Sequence, residues 1–297
     1  MRSLHRGEAR AGWLLAAPAL LVIAAFFLLP VAAGFALSVT DFDIYSIGDP
    51  DLVRIVGAAN YRTLFSEPLF WKALKNTLYF VLLGVPATMG VALAAALGVT
   101  SGVTRLKPVF RTVYFAPVVT TLVAVAVVWR YLYHPRFGLI NGFLGFLGVD
   151  PIAWLADPRW AMPAIVLLAV WKNFGYTMII FVAGLQAIPE QLYEAARLDG
   201  ASAWQRFRHI TLPGLAPTTT FVAVITVIGY FQLFAEPYVM TSGGGPVNAT
   251  LSVVLYMFKE GFRWWNIGYA AAVAFVLFWI VLAVTLLQTA ARRRAER

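Results

Sequence analysis

The sequence predicts an all-helical integral membrane protein, and three observations support this fold class. Of its 297 residues, 61% are hydrophobic and only 12% are charged, whereas soluble domains usually carry about 25% charged residues. The mean hydropathy is +0.76. Six apolar stretches each exceed the roughly 20 residues that a helix needs to cross a bilayer. We therefore expect one transmembrane domain, residues 1–297, with spans near 13–39, 74–99, 109–133, 161–185, 217–240 and 268–290.

The first stretch is expected to remain in the protein as a membrane anchor. A cleaved signal sequence has an apolar region of about 7–15 residues, and this stretch runs from Trp13 to Val39 with Pro30 inside it. The second and third stretches also contain prolines, Pro86 and Pro117. Because proline removes a backbone hydrogen bond and bends a helix, these positions mark either tolerated kinks in a packed bundle or hinges of a pathway.

The distribution of basic residues predicts that both termini face the cytoplasm. With a cytoplasmic N-terminus, the inner segments hold 13 lysines and arginines, among them Arg105 and Arg297, and the longer outer segments hold 8. Cytoplasmic loops of membrane proteins carry such an excess. The net charge of +9 is thereby explained without nucleic acid, because the basic residues lie at the ends of apolar stretches and not in one patch.

Composition excludes several kinds of chemistry. The chain has no cysteine, and its three histidines, His5, His134 and His209, are too far apart for a His-x-x-His zinc site. It has no Gly-x-x-x-x-Gly-Lys-Ser/Thr loop, so it is not expected to bind ATP. An intramembrane enzyme would need a paired acid, a nucleophile or a metal-ligand set at membrane depth, and the sequence offers none. We expect no enzymatic activity, metal or cofactor in this chain.

A polar segment between the fourth and fifth spans, residues 187–213, carries the strongest local signals. Pro189 suits the first turn of a helix, and Gly200 suits the left-handed residue that follows the end of one. Ser202 and Gln205 form a capping-box pattern that would start a second helix. Two short helices are predicted, and local physics leaves two interpretations open: a docking surface for a partner, or a helix pair packed on its own bundle.

The same segment resembles the EAA loop of ABC-importer permeases. Glu194-Ala195-Ala196, Gly200 and Ile210-x-Leu212-Pro213 match that pattern at every fixed position and spacing. In that family the loop forms coupling helices that sit in a cleft of the nucleotide-binding subunit. The resemblance implies that the segment contacts a partner ATPase through Glu194, Ala195, Ala196, Asp199, Gly200, Trp204, Phe207, Leu212 and Pro213.

Three runs resemble the carbohydrate-uptake branch of that family, which includes maltose- and glycerol-phosphate-type systems. They are Tyr193–Ser202, Phe234–Tyr238 and Thr241–Pro246, although Ser242 stands where that branch more often has glycine. The resemblance covers about residues 110–270. It implies a sugar or a related solute as cargo, and a non-sugar solute such as glycerol phosphate or a polyamine is the alternative.

The resemblance also implies partners and a location. The chain would be a permease subunit of a binding-protein-dependent importer in the bacterial or archaeal cytoplasmic membrane. Its partners would be a second, homologous permease, two copies of an ATPase that bind ATP and magnesium, and an extracytoplasmic solute-binding protein. The implied contacts to the binding protein are Gly243, Gly244, Gly245 and Pro246, and a plain connecting loop is the alternative.

Aromatic and planar polar side chains in the spans are candidates for the transport pathway, because sugars bind to aromatic faces and to planar polar groups. Interhelical hydrogen bonding and ordinary packing are the alternatives. The candidates are Trp129, Trp171, Asn173, Tyr176, Tyr230, Gln232 and Glu236. An ion-coupled secondary transporter is a rival function, but it would have ionisable residues and broken helices in repeated halves. The absence of carboxylates in the middle of the spans disfavours it.

Overall fold

The computed structural model describes residues 2–101 and 107–295. Within this part of the chain every regular element is helical, and the only pairing of extended backbone is an isolated bridge between Thr40 and Ile55. Arg105 and Arg297, which were counted above among the inner basic residues, lie outside the described residues. The all-helical prediction is therefore confirmed for the described residues.

The helices are numbered in chain order. Three π-helical turns, Ala24–Leu28, Phe207–Thr211 and Lys259–Arg263, and two short 3-10 turns, Tyr45–Ile47 and Pro50–Leu52, adjoin or connect them. The α-helices are α1 (Arg2–Ile23), α2 (Leu29–Ser38), α3 (Ala59–Ser66), α4 (Pro68–Thr100), α5 (Lys107–Val119), α6 (Leu122–Leu132), α7 (Leu139–Phe146), α8 (Pro158–Gln186), α9 (Glu190–Leu198), α10 (Ala203–Arg206), α11 (Leu212–Gly214), α12 (Ala216–Phe231), α13 (Ala235–Met240), α14 (Val253–Phe258) and α15 (Ile267–Ala295).

Among the described residues, five helical stretches are long and apolar enough to cross a membrane, and they match five of the predicted spans to within a few residues at most ends. They are Ala11–Ser38, Pro68–Thr100, Pro158–Gln186, Ala216–Met240 and Ile267–Arg292. The fifth predicted span is interrupted between α12 and α13, where the hydroxyl of Ser252 donates a hydrogen bond to the carbonyl oxygen of Leu233.

The third predicted span, 109–133, is formed by two helices and not by one continuous helix. Helix α5 ends at Val119, α6 begins at Leu122, and the two are bent by 100°. Thr121 is extended, with φ −66° and ψ 136°. The break removes the helical partners of the carbonyls in the last turn of α5, and an unpaired carbonyl in the bilayer core costs several kcal/mol. Counted as one broken span, the pair brings the number of candidate spans to six.

The described chain divides into two compact units, of which the first contains residues up to Glu67 together with Met257–Leu277. A set of hydrogen bonds holds its parts together. The amide of Asn60 in α3 donates to the carbonyl oxygens of Ser38 and Thr40, at 2.9 and 2.8 Å. The N–H of Gly268 in α15 donates to the carbonyl oxygen of Phe42 at 2.8 Å. The single-domain assignment of residues 1–297 stays a prediction.

The second unit contains Pro68–Tyr256 and the chain from Phe278 onward, and its core is formed by α4, α8 and α12. Small residues on α4 allow the three helices to approach closely, and larger side chains from α8 and α12 fill the space between them. Burying such side chains in close contact stabilises helix packing within the membrane through dispersion. The buried residues of this cluster are Ala92, Ala96, Val99, Met178, Phe181, Val182, Leu215 and Val222.

Helix α5 crosses α8 at Gly175, which is buried. A Cβ atom at this position would collide with the backbone carbonyl of Tyr114, a group that cannot rotate away. Beside the crossing, the rings of Tyr114 and Phe174 meet edge to face with centroids 5.6 Å apart. Glycine is therefore required here by the close approach of two backbones, which is common between membrane helices.

Replacing Gly175 with alanine should destabilise the protein. Overpacking a core position typically costs about 1–3 kcal/mol, and here the obstructing atoms belong to the backbone. Gly90→Ala in α4 is the matched control, because a Cβ at Gly90 meets nothing within 4 Å. Thermal unfolding in detergent should show a lower midpoint for Gly175→Ala and an unchanged or slightly higher one for Gly90→Ala. Equal midpoints for the two variants would contradict the close crossing.

Candidate functional site

A cavity of about 530 Å³ lies among α4, α6, α8, α12 and α13. It brings together five of the seven residues that the sequence nominated for the pathway, although they come from two separate stretches of the chain. Helix α8 contributes Asn173 and Tyr176, α12 contributes Tyr230, and the segment that follows contributes Gln232 and Glu236. Cavities of about 300–1,000 Å³ are the usual size of small-molecule sites.

The cavity wall combines aromatic faces with a few polar groups. Phe80 stacks on Tyr230 with ring centroids 4.8 Å apart, and the Tyr230 hydroxyl shares a hydrogen bond with Thr88, which fixes the ring. The amide of Asn173 donates to the carbonyl oxygen of Ala169 at 2.9 Å. Among the described residues that line the cavity, Glu236 carries the only formal charge. This chemistry suits a polar, uncharged solute with an apolar ring face.

The other two nominated residues, Trp129 and Trp171, are placed elsewhere. Their rings lie 5.4 Å apart, and both line a separate pocket of about 550 Å³ whose wall is mainly apolar. The physical reason is helical geometry: residues two positions apart, such as Trp171 and Asn173, point to different sides of a helix. A role for these tryptophans in the pathway stays a prediction without support from this placement.

One polar contact that the sequence analysis did not single out joins α8 to the break after α5. The ammonium group of Lys172 donates to the carbonyl oxygens of Pro117 and Thr120, both at 2.9 Å. Lys172 lies 14 residues from either end of α8, Pro158–Gln186. A lysine in the middle of an apolar stretch is expensive unless it has partners, and this was the signal that could have identified it.

The segment between α8 and α12 forms the two short helices expected from its sequence, α9 and α10. Helix α9 starts at Glu190, so Pro189 precedes the helix as its N-cap residue and does not belong to the first turn. Gly200 has φ +77°. Its N–H donates to the carbonyl oxygen of Arg197 at 3.1 Å, and the N–H of Ala201 donates to that of Ala196 at 2.8 Å. This is a Schellman motif, in which glycine is favoured because φ is positive.

Helix α10 begins with a complete capping box. The N–H of Ser202 donates to Oε1 of Gln205 at 2.7 Å, and the N–H of Gln205 donates to Oγ of Ser202 at 3.3 Å. The hydroxyls of Tyr193 and Thr211 are hydrogen bonded at 2.9 Å and tie α9 to the end of the segment. The segment is therefore a well-formed projection and not a flexible connection.

Most of the residues nominated for ATPase contact lie on the surface of this projection. Ala196 and Phe207 are partly buried, and the others are exposed: Glu194, Ala195, Asp199, Gly200, Trp204, Leu212 and Pro213. Two large apolar side chains are also presented to the outside. Trp204 is 65% exposed, and Leu198, which the sequence analysis did not nominate, is 90% exposed. Exposed apolar groups at the tip of an ordered projection are typical of a protein-binding surface.

The loop that follows α13, residues 241–252, is held in a fixed conformation by its own hydroxyls. The hydroxyl of Thr250 donates to the carbonyl oxygen of Gly245 at 2.8 Å and is hydrogen bonded to the hydroxyl of Thr241 at 2.7 Å. Gly243 and Gly244 have φ values of +89° and +102°, which favour glycine. The glycines nominated as contacts are partly or fully buried, whereas Val247 is 76% exposed.

Helix α4 anchors this loop through two polar side chains. The amide of Asn76 donates to the carbonyl oxygens of Asn248 and Leu251, both at 2.9 Å. The ammonium group of Lys72 donates to the carbonyl oxygen of Val247 at 2.6 Å. These contacts could not be predicted from the sequence, because more than 170 residues separate the two sides of each contact.

Residues 88–297 match the family described as the binding-protein-dependent transport system inner membrane component. The chain belongs to this family. It is thus a multi-pass membrane protein of a transport system, as the resemblance of the loop 187–213 implied.

Curated relatives extend the match over almost the whole permease chain. It is 37% identical to the lactose transport system permease protein LacF of Rhizobium radiobacter over 289 residues, which cover 96% of this chain and 95% of the relative. It is 35% identical to the sn-glycerol-3-phosphate transport system permease protein UgpA of Agrobacterium fabrum, with 93% and 92% covered. The arabinooligosaccharides transport system permease protein AraP of Bacillus subtilis is 34% identical, with 96% and 90% covered.

Solved structures show the same fold. A chain of a bacterial ABC transporter involved in the import of the acidic polysaccharide alginate superposes with a TM-score of 0.77 at 24% identity, covering 98% of this permease and 99% of that chain. A second structure, of the alginate transporter in complex with an alginate pentasaccharide-bound periplasmic protein, gives a TM-score of 0.79 at 23% identity, with 99% and 97% covered.

The anchoring of loop 241–252 can be tested with Asn76→Ala. The variant loses two hydrogen bonds, each of which contributes about 0.5–1.5 kcal/mol, so the loop should open more often. Hydrogen exchange of the amides between Val247 and Leu251 should become about tenfold faster, because local opening controls exchange. Lys75→Ala, at an exposed neighbouring position, is the control and should leave exchange unchanged. Unchanged exchange in Asn76→Ala would show that α4 does not hold the loop.

Proposed function

We propose that this permease forms, with a second and homologous permease, the membrane pathway of an ATP-driven importer for a sugar or a related solute. The importer would work in the cytoplasmic membrane of a bacterium or archaeon. The observation that carries the proposal is the cavity, in which Asn173, Tyr176, Tyr230, Gln232 and Glu236 meet, in a chain related to sugar-transport permeases over nearly its whole length.

The lining of the cavity supports a carbohydrate as cargo. A sugar offers one apolar ring face and a rim of hydroxyls, and the wall offers the matching aromatic rings, amides and one carboxylate. A glycerol phosphate is the alternative, since one relative is named for that solute. A negatively charged carboxylate at Glu236, the only acidic side chain among the described residues of the wall, would repel a phosphate and favour an uncharged cargo.

The segment 187–213 would face the cytoplasm and dock on an ATPase subunit. The proposal is supported by the exposed side chains of Glu194, Leu198 and Trp204 on an ordered projection. The aromatic and leucine side chains would fill a cleft of the partner, and the carboxylate would form polar contacts at its edge. ATP and magnesium would bind to the two ATPase subunits, and this chain would perform no hydrolysis.

The same segment would transmit the ATPase motion to the cavity, because it is covalently joined to two helices that form the cavity wall. Helix α8 ends at Gln186, directly before the segment, and α12 begins at Ala216, with only Gly214 and Leu215 between it and the segment. Leu215, at the junction, is fully buried in the core cluster. A displacement of the projection by closure of the ATPase pair would therefore move α8 and α12 instead of bending a loose connection.

The loop 241–252 would lie on the opposite side of the membrane and contact the solute-binding protein. Its position at the other end of α12 and α13 supports this assignment. The loop is rigid, and its exposed apolar tip is Val247. The glycines Gly243, Gly244 and Gly245, with Pro246, would shape the loop and leave direct contact mainly to Ser242 and Val247, which are exposed.

Reversing a charge on the docking projection tests the coupling proposal. Glu194→Lys should reduce ATP hydrolysis stimulated by the loaded binding protein by about tenfold, because the proposed polar contacts need a carboxylate acceptor and an ammonium group can only donate. Asp150→Lys, a charge reversal at an exposed position outside the projection, is the control. Membrane insertion of both variants should be normal. Full stimulation in Glu194→Lys would exclude this projection as the coupling element.

The nature of the cargo can be tested with the solute-binding protein that co-purifies with the assembled importer. Calorimetric titration against a panel of neutral oligosaccharides, sn-glycerol 3-phosphate, polyamines and amino acids should show tight binding of a neutral oligosaccharide. Binding of polyamines or amino acids alone would overturn the sugar assignment. Tight binding of glycerol phosphate alone would favour the alternative cargo and contradict the interpretation of Glu236.

A further inference from the structure

We propose that Lys172 is a positioning residue of the pathway: its ammonium group, bonded to the carbonyl oxygens of Pro117 and Thr120, holds the break between α5 and α6 and thereby places α6 in the cavity wall. The two bonds are 2.9 Å long. The lysine itself is not among the residues that line the cavity, although its charge also interacts with that of Glu236 in the wall. Its two hydrogen bonds act on the cavity through the helix that they hold.

The break creates a need for donors that the local backbone does not meet. The carbonyls of the last turn of α5 lack the N–H donors of a following helical turn, because α6 is bent by 100° relative to α5. The hydroxyl of Thr120 reaches back to the carbonyl oxygen of Pro117 at 2.6 Å, but the Thr120 carbonyl is directed to the ammonium group. Lysine has three donors on a flexible stem, and it serves both carbonyls at once.

The close crossing of α5 and α8 brings the lysine to the break. Gly175 permits the backbone of α8 to approach Tyr114 in α5, and Lys172 lies three residues earlier on the same helix. Residues three apart share one helix face. The crossing at Gly175 and the bonds from Lys172 are therefore two contacts along a single seam, and both set the position of the end of α5.

The position of α6 matters to the cavity because its first residue, Leu122, belongs to the wall. The far end of α6 is tied to α13 by Arg130, whose guanidinium donates to the carbonyl oxygen of Val239 at 3.4 Å. Loss of the Lys172 bonds would free the near end of α6 and allow Leu122 to move. The shape of the cavity beside Asn173 and Tyr176 would then no longer be fixed.

A distance measurement across the break tests this proposal on the intact protein. The chain has no cysteine, so spin labels can be attached at Val113→Cys in α5 and Val128→Cys in α6, both exposed positions. In lipid nanodiscs, the doubly labelled protein that retains Lys172 (the parent) should show one narrow distribution of distances between the two spin labels. Lys172→Met, which keeps most of the apolar stem and removes the donors, should broaden or shift it. Lys172→Arg, which keeps a cationic donor, should retain the narrow distribution.

Lys75→Met, at an exposed position of α4, is the matched control and should leave the distribution unchanged. An unchanged distribution in Lys172→Met would overturn the proposal. If Lys172→Met fails to insert, Lys172→Gln takes its place, because the glutamine amide nitrogen lies one bond short of the ammonium position. It should also broaden the distribution, and a narrow one would overturn the proposal.

The predicted effect on transport rests on the proposed function, whereas the outcome of the distance measurement does not depend on it. In the assembled importer, Lys172→Met should lower uptake of the neutral oligosaccharide by about tenfold, since loss of one charge-assisted bond shifts a conformational population at least that far. Lys172→Arg should restore most of it. A broadened distribution with normal uptake would overturn the positioning role. If the importer with Lys172 intact shows no uptake, that result contradicts the proposed function and leaves the distance measurement as the test of the positioning role.

Discussion

Backbone hydrogen bonding is the constraint on which the rest of this structure depends, because the bilayer core offers no water to an unpaired amide or carbonyl. Among the described residues, five candidate spans satisfy this constraint largely through the backbone hydrogen bonds of regular helices. Where a helix is interrupted, a side chain from another element supplies the donor. Lys172 serves the carbonyls of Pro117 and Thr120, and Ser252 serves the carbonyl of Leu233. Both interruptions lie beside the cavity, since Leu122 and Leu233 are part of its wall.

The second consequence of the architecture is that the projection 187–213 is covalently continuous with two helices of the cavity wall. Helix α8 carries Asn173 and Tyr176 in the cavity wall and ends where the projection begins. Helix α12 starts just after the projection ends and carries Tyr230, whose ring is fixed by Phe80 and Thr88. Because tightly packed helices shift as bodies and are not deformed continuously, a force applied at the projection would reach the cavity through α8 and α12, which share one buried core.

The parts of this structure that were predictable from sequence are those that local rules control. Hydropathy identified five spans, and Gly200 with the Ser202–Gln205 pair identified the two short helices. The break after α5 was not predictable from hydropathy, because the stretch 109–133 is predominantly apolar and Pro117 alone is compatible with a gentle kink. Contacts between residues far apart in the sequence were equally unpredictable: nothing near Asn76 indicates that it binds the loop 241–252.

Trp129 and Trp171 were assigned to the pathway by residue type, and helix geometry placed them in a different pocket.

The claim that the projection docks on the ATPase is tested most directly by photo-crosslinking in membranes that contain the assembled importer. The absence of cysteine in the chain allows a benzophenone maleimide to be attached at one site, Leu198→Cys on the projection or Val247→Cys on the loop 241–252. We expect the label at position 198 to be joined to the ATP-hydrolysing subunit and the label at position 247 to the solute-binding protein. A label at position 198 that reaches only lipid or the binding protein, or one at position 247 that reaches the ATPase, would contradict it.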